Sequence, residues 1–129
     1  MKFLVVDDEQ DIELLFLQQF RKEIRSGELE LVFAFSGQDA LAILDSSQPP
    51  DVVYVFSDIN MPGMTGLELL EIINQKYPHI HVSMISAYGE GDNHRKAMAS
   101  GAKEFFTKPI DFGRLKQEVH AQIGQQKQG

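Results

Sequence analysis

Four polar side chains stand where apolar runs of this chain stop. Asp58 follows Val52-Val53-Tyr54-Val55-Phe56, separated from it by Ser57 alone. The run Phe3-Leu4-Val5-Val6 likewise ends in Asp7-Asp8-Glu9, and two later apolar runs lead to Ser86 and Lys108. Two carboxylates about 4–5 Å apart repel by roughly 3–4 kcal/mol at an effective dielectric near 20. A pocket that gathers them must therefore keep a proton or hold a cation. Hard oxygen donors, with no cysteine in the chain, point to Mg²⁺, which takes one or two carboxylates and keeps several waters. The expected ligands are Asp8, Asp58 and the backbone carbonyl of Asn60, with Asp7 acting through water. Asp58 is then the carboxylate placed to attack phosphorus, giving an aspartyl phosphate. Lys108 can pair with the same phosphoryl group as a point charge, and Ser86 can donate a hydrogen bond to it.

The elements that must position these groups alternate strand and helix five times. Strands are expected over residues 2–6, 29–35, 52–57, 80–85 and 103–106. The third is apolar at each position from Val52 to Phe56, as a strand covered on both faces should be. Ile12, Leu15, Phe16, Phe20 and Ile24 share one face of a first helix. Ser36 with Asp39, and Thr65 with Glu68, have the hydroxyl-to-acid spacing that opens a helix; they introduce the second and third. Gly101 ends the fourth, and Pro78 follows the third. Phe112, Leu115, Val119 and Ile123 mark a fifth. Phe33 and Phe35 are expected in the core, and Met61 and Met64 in loop packing. The alternation predicts an α/β fold, flavodoxin-like and doubly wound. Its five-stranded parallel sheet takes the order 2-1-3-4-5, with helices on both faces. Ligands of such sheets sit at the carboxyl ends of the strands where the winding reverses, here between the first and third. Those two strands end in Asp7-Asp8 and Asp58.

Composition narrows the classes. The 129 residues carry a net charge of −7, with twelve basic residues scattered along the chain, so no basic face for direct nucleic-acid contact is expected. No apolar stretch approaches the ~20 residues that span a bilayer, and the start does not read as a signal peptide. A cytoplasmic protein is the expectation. One domain over residues 1–124 is expected, followed by a polar tail at 125–129 that reads as a frayed end or the start of a linker to an output domain.

Four segments in order then resemble the receiver domain of two-component response regulators over about residues 2–123. They are Phe3-Leu4-Val5-Val6-Asp7-Asp8-Glu9, Ser57-Asp58-Ile59-Asn60-Met61-Pro62-Gly63-Met64-Thr65-Gly66, Met84-Ile85-Ser86-Ala87 and Gly101-Ala102-Lys103-Glu104-Phe105-Phe106-Thr107-Lys108-Pro109. The resemblance implies a phosphoacceptor at Asp58, supplied by a histidine kinase or phosphotransfer protein with Mg²⁺ as cofactor. It implies a cis peptide between Lys108 and Pro109. It also implies a switch in which Ser86 moves toward the phosphate while the aromatic three residues before the lysine turns inward. That aromatic is Phe105, which lacks the hydroxyl of the tyrosine in many relatives and can switch only by packing. By the same analogy a kinase docks near the first helix. Output contacts or homodimerisation use the fourth helix, fifth strand and fifth helix. Tyr88, two residues beyond Ser86, is expected to overhang the pocket and slow attack of water, and Gly89-Glu90-Gly91 to form a hinge-like loop. On this reading the chain catalyses only its own phosphorylation and dephosphorylation.

Two other classes share the pattern. A phosphatase or phosphotransferase with Asp58 as nucleophile commonly needs a second aspartate two residues on, where this chain has Asn60. A flavin- or nucleotide-binding module would want a glycine- or hydroxyl-rich anion cradle after the first strand, where this chain has Asp7-Asp8-Glu9-Gln10-Asp11.

Overall fold

The computed structural model describes residues 1–87 and 91–128. Five strands, β1 (Lys2–Val6), β2 (Glu30–Ala34), β3 (Val52–Asp58), β4 (His81–Ser86) and β5 (Phe105–Thr107), form one parallel sheet. Its order is β2-β1-β3-β4-β5, as the alternation predicts. The helices are α1 (Asp11–Gln19), α2 (Arg21–Arg25), α3 (Gly37–Asp45), α4 (Gly66–Lys76), α5 (Asp92–Ala99) and α6 (Phe112–Gln128). None of the described helices is long and apolar enough to cross a membrane.

Alternate residues of each strand feed opposite faces. Leu4, Val6 and Val55 pack with Leu44, Leu70, Ile73 and Ala97 of α3, α4 and α5. Phe3, Val5, Tyr54 and Phe56 pack with Phe16 of α1 and with Leu115 and Val119 of α6. The second core is aromatic: Tyr54 stacks on Phe3 and Phe56 with ring centroids 5.1 and 4.7 Å apart. Central strands buried on both faces explain why β3 reads as one continuous apolar run.

Helix starts follow the expected capping. The Thr65 hydroxyl accepts from the Glu68 amide while the Glu68 carboxylate accepts from the Thr65 amide, a complete capping box. At α3 only half of that arrangement forms, with Ser36 accepting from the Asp39 amide. Gly101 follows α5 with φ +96°, the left-handed conformation that ends a helix cheaply in glycine.

Several expectations are corrected. The first helix is two: α1 stops at Gln19 and α2 resumes at Arg21, with Phe20 at φ −109°, ψ 23° between them. Leu15 does not share the buried face, being 41% exposed. Ile12, Phe16 and Phe20 recur every four residues and fill the contact, so the residue about 100° away turns to solvent. Phe33 packs against the aromatic core, but Phe35 belongs to neither core cluster and lines a groove with Gln10, Asp11, Glu13 and Leu14. Strands β3 and β4 each run one residue further than expected, through Asp58 and Ser86. β5 is shorter at its start, although the Lys103 amide already bonds the Val82 carbonyl at 2.8 Å. Helix α6 continues to Gln128, into the segment expected as a frayed tail.

Candidate functional site

Parallel register brings the strand ends to one edge. Val6 pairs with Ser57, Asp58 with Ile85, and Ser86 with Thr107. Asp7 is thereby held beside Asp58, its amide bonded to the Ala34 carbonyl at 3.1 Å. Beyond β3, the Ile59 amide donates to the Ile85 carbonyl at 3.1 Å, and the Gly66 amide donates to the Ile59 carbonyl at 2.8 Å. Those bonds fix the backbone on the far side of Asp58 and seat the start of α4 against it.

Oxygens of Asp7, Asp8 and Asp58 converge within 4.8 Å of one another. Asp7 and Asp58 are buried at 4% and 5% exposure, whereas Asp8 is exposed. The Lys108 ammonium lies 2.9 Å from Asp7 Oδ2, 3.6 Å from Asp58 Oδ2 and 3.9 Å from Glu9 Oε1. The other Asp7 oxygen accepts from the Glu9 amide at 2.8 Å. The Lys108–Pro109 peptide is cis, as the resemblance implies, and so is Gln48–Pro49. Ser86 is fully buried at the end of β4, and its carbonyl accepts the Lys108 amide at 2.9 Å. Asn60 is exposed in the loop after Asp58, and Phe105 is 7% exposed on β5. Tyr88, Gly89 and Glu90 lie outside the described residues.

The electrostatics follow from this crowding. Burial, then the Asp7 carboxylate, pushes the Asp58 carboxyl up to about 6 against the opposing pull of Lys108, with Asp8 adding to the rise. Burial works against the charge on Lys108. The Asp7 hydrogen bond and the fields of Asp58, Asp7 and Glu9 outweigh it and raise its pKa. One ammonium is therefore shared among carboxylates that it does not fully compensate. An all-oxygen donor set with residual negative charge fits a small hard divalent cation.

The structure brings together Asp7, Asp8, Asp58 and Lys108, with Ser86 one strand away. The position of Lys108 at a strand end points it toward a phosphoryl group but does not reveal its pairing with Asp7. The role of Gly66 is likewise not revealed by the sequence, where its one visible signal is a glycine directly after the Thr65 cap. There a Cβ would collide with the backbone of Asp58 and Ile59.

Comparison with known proteins agrees with this geometry. Residues 3–120 match the response regulator receiver domain model. The chain is 38% identical over 120 residues to the response regulator protein PilR of Pseudomonas aeruginosa, covering 92% of this chain and 25% of PilR. It is 33% identical over 118 residues to the sporulation initiation phosphotransferase F of Bacillus subtilis, covering 92% and 90%. The chain spans about a quarter of the length of the first curated relatives it matches. A receiver domain structure from Clostridium thermocellum superposes with TM-score 0.82 at 28% identity, covering 98% of this chain and 96% of that one. The response regulator TrrA of Thermotoga maritima, solved in complex with Mg²⁺ and BeF, gives TM-score 0.75 at 30% identity, covering 93% and 96%. An acidic pocket at the reversal of a 2-1-3-4-5 sheet and a family match over nearly the whole chain lead to one conclusion: this chain belongs to the receiver domain family of two-component response regulators.

Proposed function

We propose that Asp58 is the phosphoacceptor of this receiver, and that Asp8, Asp58 and the Asn60 carbonyl hold Mg²⁺, with Asp7 reaching it through water. The observation that carries this reading is the convergence of the Asp7, Asp8 and Asp58 carboxylates within 4.8 Å of one another at the switch point of the sheet, where Lys108 pairs with Asp7 and Asp58. An Asp58 oxygen attacks phosphorus as the bond from phosphorus to the donor breaks, and the departing group takes its electron pair. Asp8, Asp58 and the Asn60 carbonyl would hold the Mg²⁺, which when bound would supply positive charge to offset the carboxylates and the incoming phosphoryl group. Lys108 pairs with the phosphoryl group by exchanging part of its contact with Asp7. Ser86 donates its hydroxyl to a phosphoryl oxygen, and Phe105 occupies the inward position linked to that movement.

The donor on this reading is a histidine kinase or phosphotransfer protein that docks over α1. Leu14, Leu15 and Leu17 supply exposed apolar surface there. Output contacts or homodimerisation use α5, β5 and α6. The receiver is one domain whose last helix, α6, reaches Gln128; it acts in the cytoplasm and turns over no separate substrate. Tyr88 modulates loss of the phosphoryl group. Neither the aspartate-nucleophile phosphatase nor the flavin module is favoured, because Asn60 offers no acid and the loop after β1 offers carboxylates.

Incubation with a small acyl phosphodonor and Mg²⁺, followed by intact mass, tests the assignment. Wild type gains one labile phosphoryl group and Asp58→Asn gains none; equal labelling of both proteins rejects it.

A further inference from the structure

Helix α5 is weakly held. Its sequence, Asp92 to Ala99, buries a single side chain, Ala97, and its start at Gly91 has no side-chain cap. Its far end is fixed: the Ala102 amide returns to the Ala97 carbonyl at 2.9 Å, and the Asn74 amide group donates to the Ser100 carbonyl. Near the loose end, the exposed His94 ring stacks on Phe105 with centroids 4.7 Å apart and planes 28° apart.

Phe105 lies beneath that ring and joins the core cluster with Met84, Ala97 and Ala102. It lies on β5, a three-residue strand at the edge of the sheet, yet is 7% exposed. Its backbone is fixed from elsewhere, by pairing with Met84 and by Arg114 Nη1, which donates to its carbonyl at 3.0 Å. Without a hydroxyl, its ring can be held only by packing. The adjoining register pair, Ser86 with Thr107, and the bond from the Lys108 amide to the Ser86 carbonyl tie β5 to the phosphoryl pocket.

We propose that His94 is a positioning residue: its ring holds Phe105 in the buried conformer, and so sets how readily the phosphorylated state forms. The proposal rests on the reading of Asp58 and Phe105 given above. A stacked aromatic pair supplies enough free energy to shift an equilibrium about three- to tenfold.

The test is titration of the Mg²⁺-saturated protein with beryllium fluoride, read by NMR of the Phe105 ring and of the Asp58 amide. Before titration, His94→Ala should move the Phe105 ring signals toward those of an exposed phenylalanine. It should then weaken apparent beryllium fluoride affinity about three- to tenfold, the range expected for a lost ring stack. His94→Phe, which keeps a stacking ring, should restore both, and Lys96→Ala on the same helix should change neither. Wild-type affinity and ring signals in His94→Ala overturn the proposal, as does failure of His94→Phe to restore them. A wild type that binds no beryllium fluoride overturns the phosphoacceptor reading itself, and the two failures are thereby distinct.

Discussion

Gly66 packs directly on the backbone of Asp58: a Cβ at residue 66 would overlap the Asp58 carbonyl oxygen and lie 2.8 Å from the Asp58 carbonyl carbon. The first residue of α4 and the last residue of β3 therefore approach too closely to leave room for a side chain between them. Gly66→Ala must push the start of α4 or the Asp58 backbone aside. Overpacking of this kind costs about 1–3 kcal/mol. We expect a lower thermal midpoint and at least a tenfold slower phosphorylation of the folded protein, read by denaturation and by timed intact mass.

Burial and neighbouring acids raise the Asp58 carboxyl from its ordinary 3.8 to about 6. The folded state thus binds this proton more tightly than the unfolded chain. The favourable contribution is fully present below pH ~4 and is lost as pH rises through ~6, amounting to about 1–3 kcal/mol. Without divalent cation, Asp58→Asn should be more stable than wild type at pH 7–8 by that amount, and the gap should close near pH 4. Urea denaturation across this range checks it, and an equal gap at both extremes refutes it.

Lys108 is the one cation within 4 Å of both Asp7 and Asp58 among the described residues. Lys108→Ala leaves two buried carboxylates facing each other without it. Removing one partner of a buried pair is destabilising by about 3–5 kcal/mol at most, and less where solvent reaches the site. The loss should be largest above pH 7 and shrink on acidification as the Asp58 carboxyl, raised to about 6, takes up its proton, a trend that chemical denaturation can follow. Added Mg²⁺ should recover stability, while timed intact mass should show phosphorylation still slowed.

The Tyr54 hydroxyl is buried between Ser83 Oγ at 2.5 Å and Glu118 Oε2 at 2.7 Å, and Glu118 also meets Lys103 at 3.3 Å. Burial raises the tyrosine pKa above its ordinary value, so the group stays a neutral donor. Tyr54→Phe strands a buried serine hydroxyl and should cost about 1–2 kcal/mol. Because the network lies below the pocket, phosphorylation rates should not change. Calorimetry and timed intact mass together separate the two effects.

The pocket was legible because its residues stand at the ends of apolar runs, and a βα alternation sends those ends to one edge. Capping at Thr65 and the glycine at 101 were legible because each is a local rule. Leu15 was misplaced because periodicity marks a face without saying how much of it neighbouring rings will fill. The break at Phe20 has no proline or glycine to announce it. The pairing of Lys108 with Asp7 joins residues a hundred positions apart, and only the parallel register decides which carboxylate the ammonium meets. The fit of Gly66 against Asp58 depends on how α4 docks, which spacing does not encode.

Locating the phosphoryl group decides whether Asp58 is the acceptor. Borohydride reduction of the acyl phosphate, followed by digestion and peptide mass analysis, reads the modified residue. Asp58 alone should be converted, with Mg²⁺ present and not after chelation. Conversion at Asp7 or Asp8, phosphate on a histidine, or labelling indifferent to Mg²⁺ would contradict that assignment.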